Sequence, residues 1–365
     1  MSVLVVNAGS SSLKVSVLGT DGEIAAALEL SRWDGSADHP ELRSFLAAAH
    51  GVSVAGHRVV HGGAEFTGPA LIDDEVIRRI GLLSDLAPLH QPAALAGIAA
   101  VRAVMPLVPA VACFDTSFHA TLPAAASTYA LPGDWNRRFG LRRYGFHGLS
   151  HAYASRRAAS LAAGHRIVTC HLGAGASLAA VLDGVCVDTT MGFTPLEGLV
   201  MATRSGSVDP GLILWLVQHG GLSADELSEG LEQRSGLAGL SELAGGSGDM
   251  RDVRAAAAAG DSRARLALEV YSHRLAREIA AMAAALNGLD VLVFTGGVGE
   301  NDQATRAGAA ERLAFLGVAV DQSRNARASR DEVISPDGAQ VTVLRITARE
   351  DIEIARQALG ILGAA

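Results

Sequence analysis

Hydrophobic and polar positions alternate most clearly at the start of the chain. Two Val-rich runs, Val3–Val6 and Val15–Leu18, flank the small polar residues 7–12. Such runs are typical of strands, and the Asn, Gly and Ser between them are typical of a hairpin turn. A second turn, Gly19–Gly22, leads to a predicted strand at Glu23–Leu30. The chain is therefore predicted to begin as an antiparallel three-stranded sheet.

A second stretch has the same outline. Residues 5–17 read VVNAGSSSLKVSV, and residues 169–181 read TCHLGAGASLAAV. Aligning Gly9 with Gly173 and Ser12–Leu13 with Ser177–Leu178 leaves one extra residue in the second copy. Gly-rich and Ser-rich turns present backbone N–H groups to phosphates. The repeat predicts an internal duplication, with one phosphate-holding hairpin in each half and a nucleotide cleft between them.

The remaining pattern predicts an α/β chain. Helices are expected at 41–50, 73–83, 92–105, 152–163, 212–219, 224–232, 262–286 and 351–361, and buried strands at 109–114, 166–172, 290–294 and 341–346. Glycine and proline make 191–211 and 239–248 predicted loops. At 365 residues the chain is too long for one compact domain, so two are expected.

Composition narrows the class of protein. Hydrophobic residues make up 49% and charged residues 19%, which is typical of a globular chain. A net charge of −8 argues against nucleic acid or an anionic membrane as a partner. No apolar run is long enough to span a membrane, and no signal segment precedes the first strand. Three cysteines without a CxxC pair indicate buried thiols in a reducing compartment, and we predict a cytoplasmic protein.

Candidate chemistry lies in polar, Gly-flanked residues at strand ends. The chain has no P-loop, no HExxH and no GxSxG motif, and GAGASL lacks the third Gly of a dinucleotide fingerprint. Its single Lys, Lys14, follows the first Gly/Ser turn. Two arginines, several histidines and two carboxylates suit phosphoryl transfer, which needs positive charge at the phosphoryl group and a carboxylate for Mg²⁺. The set is Asn7, Ser10, Ser12, Lys14, Arg58, His90, Asp115, His147, His171, Gly173, Gly175, Arg204, Gly297, Gly299, Asn301 and Glu350.

Ten motifs in order identify a resemblance to the acetate kinase family. They are VVNAGSSSLK, HRVVHGG, APLHQP, CFDTSFH, RRYGFHGLSH, HLGAGAS, MGFTPLEGLVMATRSG, GDMRD, FTGGVGEN and TAREDIEIAR. The resemblance covers nearly the whole chain and extends to sugar kinases, actin and heat-shock ATPases. It implies an α/β fold of two duplicated actin-like (ribonuclease H-like) domains with an interdomain nucleotide cleft. We assign them to 1–117 plus 351–365 and to 118–350, the second carrying most of the nucleotide site.

The resemblance also implies an activity and a role for each matching residue. ATP would reversibly phosphorylate a short carboxylate to an acyl phosphate, with ADP as the other product. Arg58 and Arg204 would bind the carboxylate and the phosphoryl group, His147 would donate a hydrogen bond to that group, and Asp115 would orient an arginine or the metal. Asn7 and Glu350 would hold Mg²⁺, with Mn²⁺ as the alternative. The acid would contact Arg58, Val60, Leu89, His90, Phe146 and Pro195. The nucleotide would contact Ser10, Ser12, Lys14, His171, Leu172, Gly173, Ala174, Gly175, Asp249, Met250, Arg251, Gly297, Val298, Gly299, Glu300 and Asn301.

The sequence departs from the usual family pattern in three places, and three functions remain possible. The family usually has Asn where this chain has Ala174, and Asn where it has Arg349, and the segment before HRVVHGG is shorter than expected. The first interpretation is an acetate kinase, and the alternative within the same class is a kinase that prefers propionate or butyrate. The alternative from another class is an actin-like module that binds ATP without a carboxylate substrate. The resemblance further implies a homodimer.

Overall fold

Each half of the chain builds one six-stranded mixed sheet. The computed structural model describes residues 2–9, 12–36, 38–88 and 90–363. The chain divides into two units: unit 1 comprises 1–120, 146–153 and 349–365, and unit 2 comprises 121–145 and 154–348. These boundaries differ from the predicted division, chiefly because 146–153 joins unit 1.

Unit 1 is a sheet with helices on both faces. Its elements are β1 (Ser2–Ala8), β2 (Leu13–Leu18), β3 (Ile24–Leu30), α1 (Pro40–Ala48), β4 (Val52–Val59), β5 (Ala70–Leu71), α2 (Asp74–Leu82), α3 (Gln91–Val104) and β6 (Ala110–Phe114). Alternate residues of β1 point to opposite faces, as a pleated strand requires. Leu4 and Val6 pack in the core with α1 and α3, while Val3 and Val5 pack in the core with the last helix of the chain.

Unit 2 also has six strands but, among the described residues, contains more helices than unit 1. Its strands are β7 (Arg166–Leu172), β8 (Ala176–Leu182), β9 (Val185–Thr189), β10 (Val291–Thr295), β11 (Glu332–Val333) and β12 (Thr342–Arg345). Its helices are α4 (Ala124–Ser127), α5 (Gly133–Phe139), α6 (Gly148–Leu161, whose first residues belong to unit 1), α7 (Pro210–Gln218), α8 (Ala224–Gln233), α9 (Gly236–Ser241), α10 (Met250–Ala258), α11 (Ser262–Ala285), α12 (Gly296–Asn301), α13 (Gln303–Arg312) and α14 (Gln322–Arg327). The long helix α11 packs on the sheet through β7, β8 and β9. Helix α15 (Glu350–Ile361) returns to unit 1.

The two sheets have one topology, which confirms the predicted duplication. Unit 1 has the strand order β3-β2-β1-β4-β6-β5, and unit 2 has the order β9-β8-β7-β10-β12-β11. In each sheet the first three strands are antiparallel, the next two join in parallel, and a two-residue edge strand pairs antiparallel. Each unit therefore repeats the same arrangement from its own opening hairpin.

The register of the hairpins corrects the predicted alignment. Gly9 and Gly173 are each the first residue after a strand, as expected. However, Asn7 pairs with Lys14 in unit 1, and His171 pairs with Ser177 in unit 2. Ser177 therefore corresponds to Lys14, not to Ser12. The second turn is one residue shorter because Gly173 N–H bonds Gly175 O, whereas Gly9 N–H reaches Ser12 O.

One predicted loop contains helix, and a glycine-rich stretch elsewhere is also helical. Residues 239–248 were expected to be loop, yet α9 extends to Ser241 because Gly239 N–H bonds the Ser235 carbonyl at 2.9 Å. The glycine-rich stretch after β10 forms helix α12 at once. Glycine content favoured a loop at 239–248, but tertiary packing overrides so weak a preference. None of the helices within the described ranges is long and apolar enough to cross a membrane.

Candidate active site

A cluster of four polar side chains lies where β1, β4 and β6 of unit 1 end. Strand β4 includes Arg58 as its next-to-last residue. The Arg58 guanidinium donates to both carboxylate oxygens of Asp115, at 2.7 to 3.1 Å, and to Asn7 Oδ1 at 3.1 Å. Glu350, the first residue of α15, lies 4.0 Å from Arg58 Nε. Strand ends of α/β sheets are common ligand sites, and four predicted residues meet here.

Electrostatics keep this cluster charged. Burial alone would lower the pKa of Arg58, but the charges of Asp115 and Glu350 raise it above its ordinary value. Burial raises the pKa of Asp115, and the Arg58 guanidinium opposes that shift. Three hydrogen bonds from a guanidinium are made to an ionised carboxylate, so Asp115 is an anion at neutral pH. It thereby fixes the orientation of Arg58.

His147 lies on a sharp bend beside this cluster. Its φ of 55° lies in the left-handed region, which few residues other than glycine occupy. The next residue must be glycine, since a Cβ at Gly148 would meet the Asp115 carbonyl oxygen at 2.2 Å. The Phe146 ring packs edge-on against His61, with 5.4 Å between ring centroids. Phe146 and Val60 are both buried, and their contact with the acid stays a prediction.

The other residues predicted for unit 1 are less tightly organised. Lys14 is about 61% exposed and forms an ion pair of 3.1 Å with Glu29 of β3. The Ser12 carbonyl accepts from Gly9 N–H, and His90 precedes helix α3. Ser10 and Leu89 lie outside the described residues. The roles of these five residues stay predictions.

Unit 2 contains a cavity of about 690 Å³. Eight of the predicted nucleotide residues line it: Gly173, Ala174, Asp249, Met250, Arg251, Gly297, Val298 and Asn301. Small residues leave room for a planar ring and a sugar, and the N–H groups at the start of α12 suit phosphate. Asp249 caps α10 and pairs with Arg251, whose hydrogen bonds lower the pKa of Asp249 to about 2.

Five of the nucleotide residues predicted in unit 2 are absent from this lining. They are His171, Leu172, Gly175, Gly299 and Glu300. Leu172 and Gly299 are buried. Glu300 instead pairs with Arg345 at 3.1 Å and accepts from Ala348 N–H at 2.9 Å. Its carboxylate therefore lies at the end of β12, and its role at the nucleotide stays a prediction.

Sequence reasoning missed other residues of the cavity. They are Ala202, Leu237, Gly248, Arg254, Tyr271, Asp302, Gln303 and Ala304. Arg254 donates to Asp302 at 2.6 Å and to Thr305 at 3.0 Å. Arg254 lies three residues after Arg251, a spacing that places both on one face of helix α10. That helical spacing could have found Arg254, whereas no local signal identifies Tyr271.

Arg204 differs from every other part-buried arginine named above. It donates to the Pro195 carbonyl at 3.3 Å and lies 4.0 Å from the Met201 sulfur. Within the described ranges it forms no ion pair with a carboxylate. Burial lowers its pKa, the direction expected for a desolvated cation without a strong partner. Such a guanidinium is suited to binding an anionic ligand.

Asn7 and Glu350 are the residues that could hold a metal ion. Asn7 Nδ2 lies 3.4 Å from Glu350 Oε2, so an amide and a carboxylate are adjacent. Over the described part of the chain, no group of three or more His, Cys, Asp and Glu side chains could hold a metal ion. Mg²⁺ is bound through one or two carboxylates and otherwise by water and substrate phosphates. Asn7 turns its amide nitrogen towards Glu350 while its Oδ1 accepts from Arg58, so the Glu350 carboxylate is the oxygen donor of this pair that suits Mg²⁺.

Ala174 and Arg349, where the family usually has Asn, have separate consequences. Ala174 lines the cavity of unit 2 without a polar side chain, and its carbonyl accepts from Ala202 N–H at 3.0 Å. Arg349 donates to Asp351 of its own helix and to the Gly22 carbonyl at 2.8 Å. Arg349 therefore ties α15 to the β2–β3 turn and leaves Glu350 to the Arg58 cluster.

Comparison with known proteins identifies the family. Residues 37–356 match the model of the Acetokinase family. The chain is 46% identical to the acetate kinase of Leifsonia xyli subsp. xyli, covering 98% of both sequences. It is 43% identical to the acetate kinase of Thermotoga maritima, covering 98% of this chain and 97% of that one.

Solved structures agree. The acetate kinase of Porphyromonas gingivalis is 36% identical, with a TM-score of 0.89 over 99% of both chains. A propionate kinase from Francisella tularensis subsp. tularensis SCHU S4 is 34% identical, with a TM-score of 0.90 over 98% of this chain and 99% of that one. The predicted resemblance is confirmed, and this chain belongs to the acetokinase family.

Proposed function

We propose that the protein catalyses the reversible ATP-dependent phosphorylation of acetate to acetyl phosphate. The observation that carries the proposal is Arg204, a part-buried guanidinium that forms no ion pair with a carboxylate in the described ranges. A nucleotide-sized cavity in unit 2 and the Arg58 cluster in unit 1 support it. Family membership and the relatives named acetate kinase support acetate as the acid.

The proposed reaction is a direct transfer. A carboxylate oxygen of acetate attacks the γ-phosphorus, and the bond to the β–γ bridging oxygen breaks to release ADP. Acetate is ionised at neutral pH, so the attack requires no general base. Arg58 and Arg204 would offset the repulsion between acid and nucleotide, and His147 would donate a hydrogen bond to the moving phosphoryl group.

Binding roles follow from the same residues. Val60, Phe146 and Pro195 would contact the methyl group, and the cavity around Gly173, Asp249 and Gly297 would take the nucleotide. Asn7 and Glu350 would hold Mg²⁺, which when bound neutralises phosphate charge. The predicted domain boundaries and the cytoplasmic location also stay predictions.

Propionate is a second candidate acid. This chain resembles the propionate kinase of Francisella tularensis (TM-score 0.90) as closely in fold as it resembles the acetate kinase of Porphyromonas gingivalis (TM-score 0.89). One methylene in an apolar pocket changes transition-state binding only modestly, about 10- to 200-fold in kcat/KM. Activity on both acids is therefore expected, with acetate preferred.

A homodimer is supported by helix α7. None of its residues is buried, although it reads PGLILWLVQ. Leu212, Leu214, Trp215 and Val217 are all exposed. An apolar helix is normally covered on at least one side. Sedimentation of the wild type and of Leu214→Arg would test the assignment, which fails if the wild type is a monomer.

A hydroxamate assay with purified protein, ATP and Mg²⁺ tests the reaction. Acetate, propionate and butyrate are compared by kcat/KM, and acetate is expected to rank first. A higher value for propionate would reassign the acid within the same reaction. If no acid yields an acyl phosphate while ATP still binds, the ATP-binding module is the correct alternative.

A further inference from the structure

The bend at His147 requires support from neighbouring residues. A left-handed backbone at a residue other than glycine persists only when the surrounding structure holds it. His147 is followed by Gly148, whose N–H bonds the Asp115 carbonyl at 2.9 Å. This bond fixes one side of the bend to the end of β6.

The other side of the bend is held by a histidine. His119 Nε2 lies 2.9 Å from the carbonyl oxygen of Phe146, the residue before His147. A carbonyl oxygen only accepts hydrogen bonds, so Nε2 carries the proton. Both anchors thus come from one short segment after β6, residues 115–119.

The surroundings hold His119 in this state. The side chain is fully buried, and its ring packs edge-on against His151 at 5.8 Å and Phe118 at 5.6 Å between centroids. Burial lowers the pKa of His119 to about 4, so the ring is neutral near pH 7. A Cβ at Gly148 would also lie 2.9 Å from Phe118 Cβ, so the bend is closely enclosed.

We propose that His119 is a positioning residue, which fixes the peptide bond before His147 and so aims the His147 ring. The inference rests on the proposed role of His147 at the phosphoryl group. His119 itself would touch neither substrate. It would act by keeping the His147 ring and the Phe146 side chain in one arrangement for catalysis.

A matched pair of substitutions tests the hydrogen bond. Gln places an amide nitrogen as many bonds from the backbone as His Nε2, whereas Met has similar bulk and no donor. His119→Met is expected to lower kcat about 10- to 100-fold, the loss that follows small misplacement of a reacting group. His119→Gln should stay within about threefold of wild type. Equal losses in both variants would overturn the proposal.

A double-mutant cycle with His147→Ala separates positioning from a merely structural effect. If His119 acts through His147, adding His119→Met to His147→Ala costs less than about twofold more in kcat. A further loss equal to that in the wild-type background would overturn the proposal. ATP affinity, measured by calorimetry, should change in neither background.

Two outcomes keep the tests distinct. If His119→Met does not fold, His119→Asn replaces it, because its amide nitrogen lies one bond short of the Nε2 position. If the wild type forms no acyl phosphate, or if His147→Ala has wild-type turnover, the proposed function or the role of His147 fails, independently of the His119 contact.

Discussion

The two sheets have one topology but different residues at equivalent positions. Asn7 corresponds to His171, since each is the penultimate residue of the first strand of its unit and pairs across its hairpin, with Lys14 and Ser177 respectively. Arg58 corresponds to Thr295, the end of the matching parallel strand. Unit 1 thus has a cation where unit 2 has a neutral hydroxyl.

This difference explains how one duplicated fold provides two kinds of site. In unit 1 the charges at the strand ends bind each other, and the result is a fixed guanidinium. In unit 2 the small residues just after β7 and β10, among them Gly173 and Gly297, line a cavity. The topology supplies the place, and side-chain size and charge decide what it can bind.

Asp115→Ala is expected to have the largest effect on this comparison. The substitution leaves Arg58 part-buried and without its main partner, which costs about 3–5 kcal/mol in the free energy of unfolding. Turnover should be lost as well, because Arg58 is no longer oriented. Urea unfolding and the hydroxamate assay measure both.

The matched control is an exposed ion pair of the same unit. Glu75→Ala removes the partner of Arg78, and both side chains are more than half exposed. No measurable change in stability or turnover is expected. If Asp115→Ala resembles this control, unit 1 does not depend on its charge cluster.

Arg204→Ala tests the part-buried arginine of unit 2 that forms no ion pair with a carboxylate in the described ranges. Removing a cation that meets transition-state charge should lower kcat by at least about 100-fold. ATP affinity should remain, since Arg204 is not part of the cavity lining. Arg234, which is 63% exposed and pairs with Glu229, provides the control variant Arg234→Ala. Wild-type turnover in Arg204→Ala would contradict the proposed role.

Much of the fold could be predicted because its signals are local. Val-rich runs and the Gly/Ser turns predicted both hairpins, and their repeat predicted the duplication. The length of the second turn could not be predicted, because it depends on which carbonyl Gly173 N–H reaches. Helix α9 was missed because its glycines have low helix propensity and it forms through tertiary contacts.

The candidate site could be predicted only in part, because only some of its residues lie in local motifs. Motif residues such as Arg58, Asp115 and Gly297 were found, and the structure brings Arg58 and Asp115 into contact. Glu300 lies in a motif yet bonds Arg345, a partner distant in sequence. Tyr271 reaches the cavity from the middle of a long helix. Contacts between distant segments leave no pattern along a single chain.

His57→Phe would make unit 1 resemble unit 2 at a core position, since His57 corresponds to the buried Phe294. Burial lowers the pKa of His57 from 6.5 to about 3, and neither ring nitrogen has a hydrogen-bond partner within the described ranges. Below pH 6.5 the unfolded chain binds a proton that the folded chain does not. Stability therefore falls as the pH falls from 6.5 towards 3.

The His57→Phe variant should lose the pH-dependent part of the stability that His57 causes. Urea unfolding at pH 7, 6 and 5 is expected to show a pH slope reduced by up to about 1.4 kcal/mol per pH unit. His61 and His119 should still contribute, because burial also lowers the pKa of each to about 4. An unchanged slope would show that His57 gains a proton in the folded protein.

The smallest effect is expected at Lys14, the cation of the first hairpin. Its counterpart, Ser177, is buried and neutral, whereas Lys14 pairs with the exposed Glu29. An exposed ion pair is weak, so phosphate can compete for the ammonium group. Lys14→Met should raise the KM for ATP about threefold, a loss typical of one charge-assisted hydrogen bond partly exposed to solvent. Glu29→Gln, which frees Lys14, should leave the KM unchanged or lower it. If Lys14→Met has a wild-type KM for ATP, the first hairpin does not bind phosphate through its lysine, and the hairpins differ in charge without differing in that function.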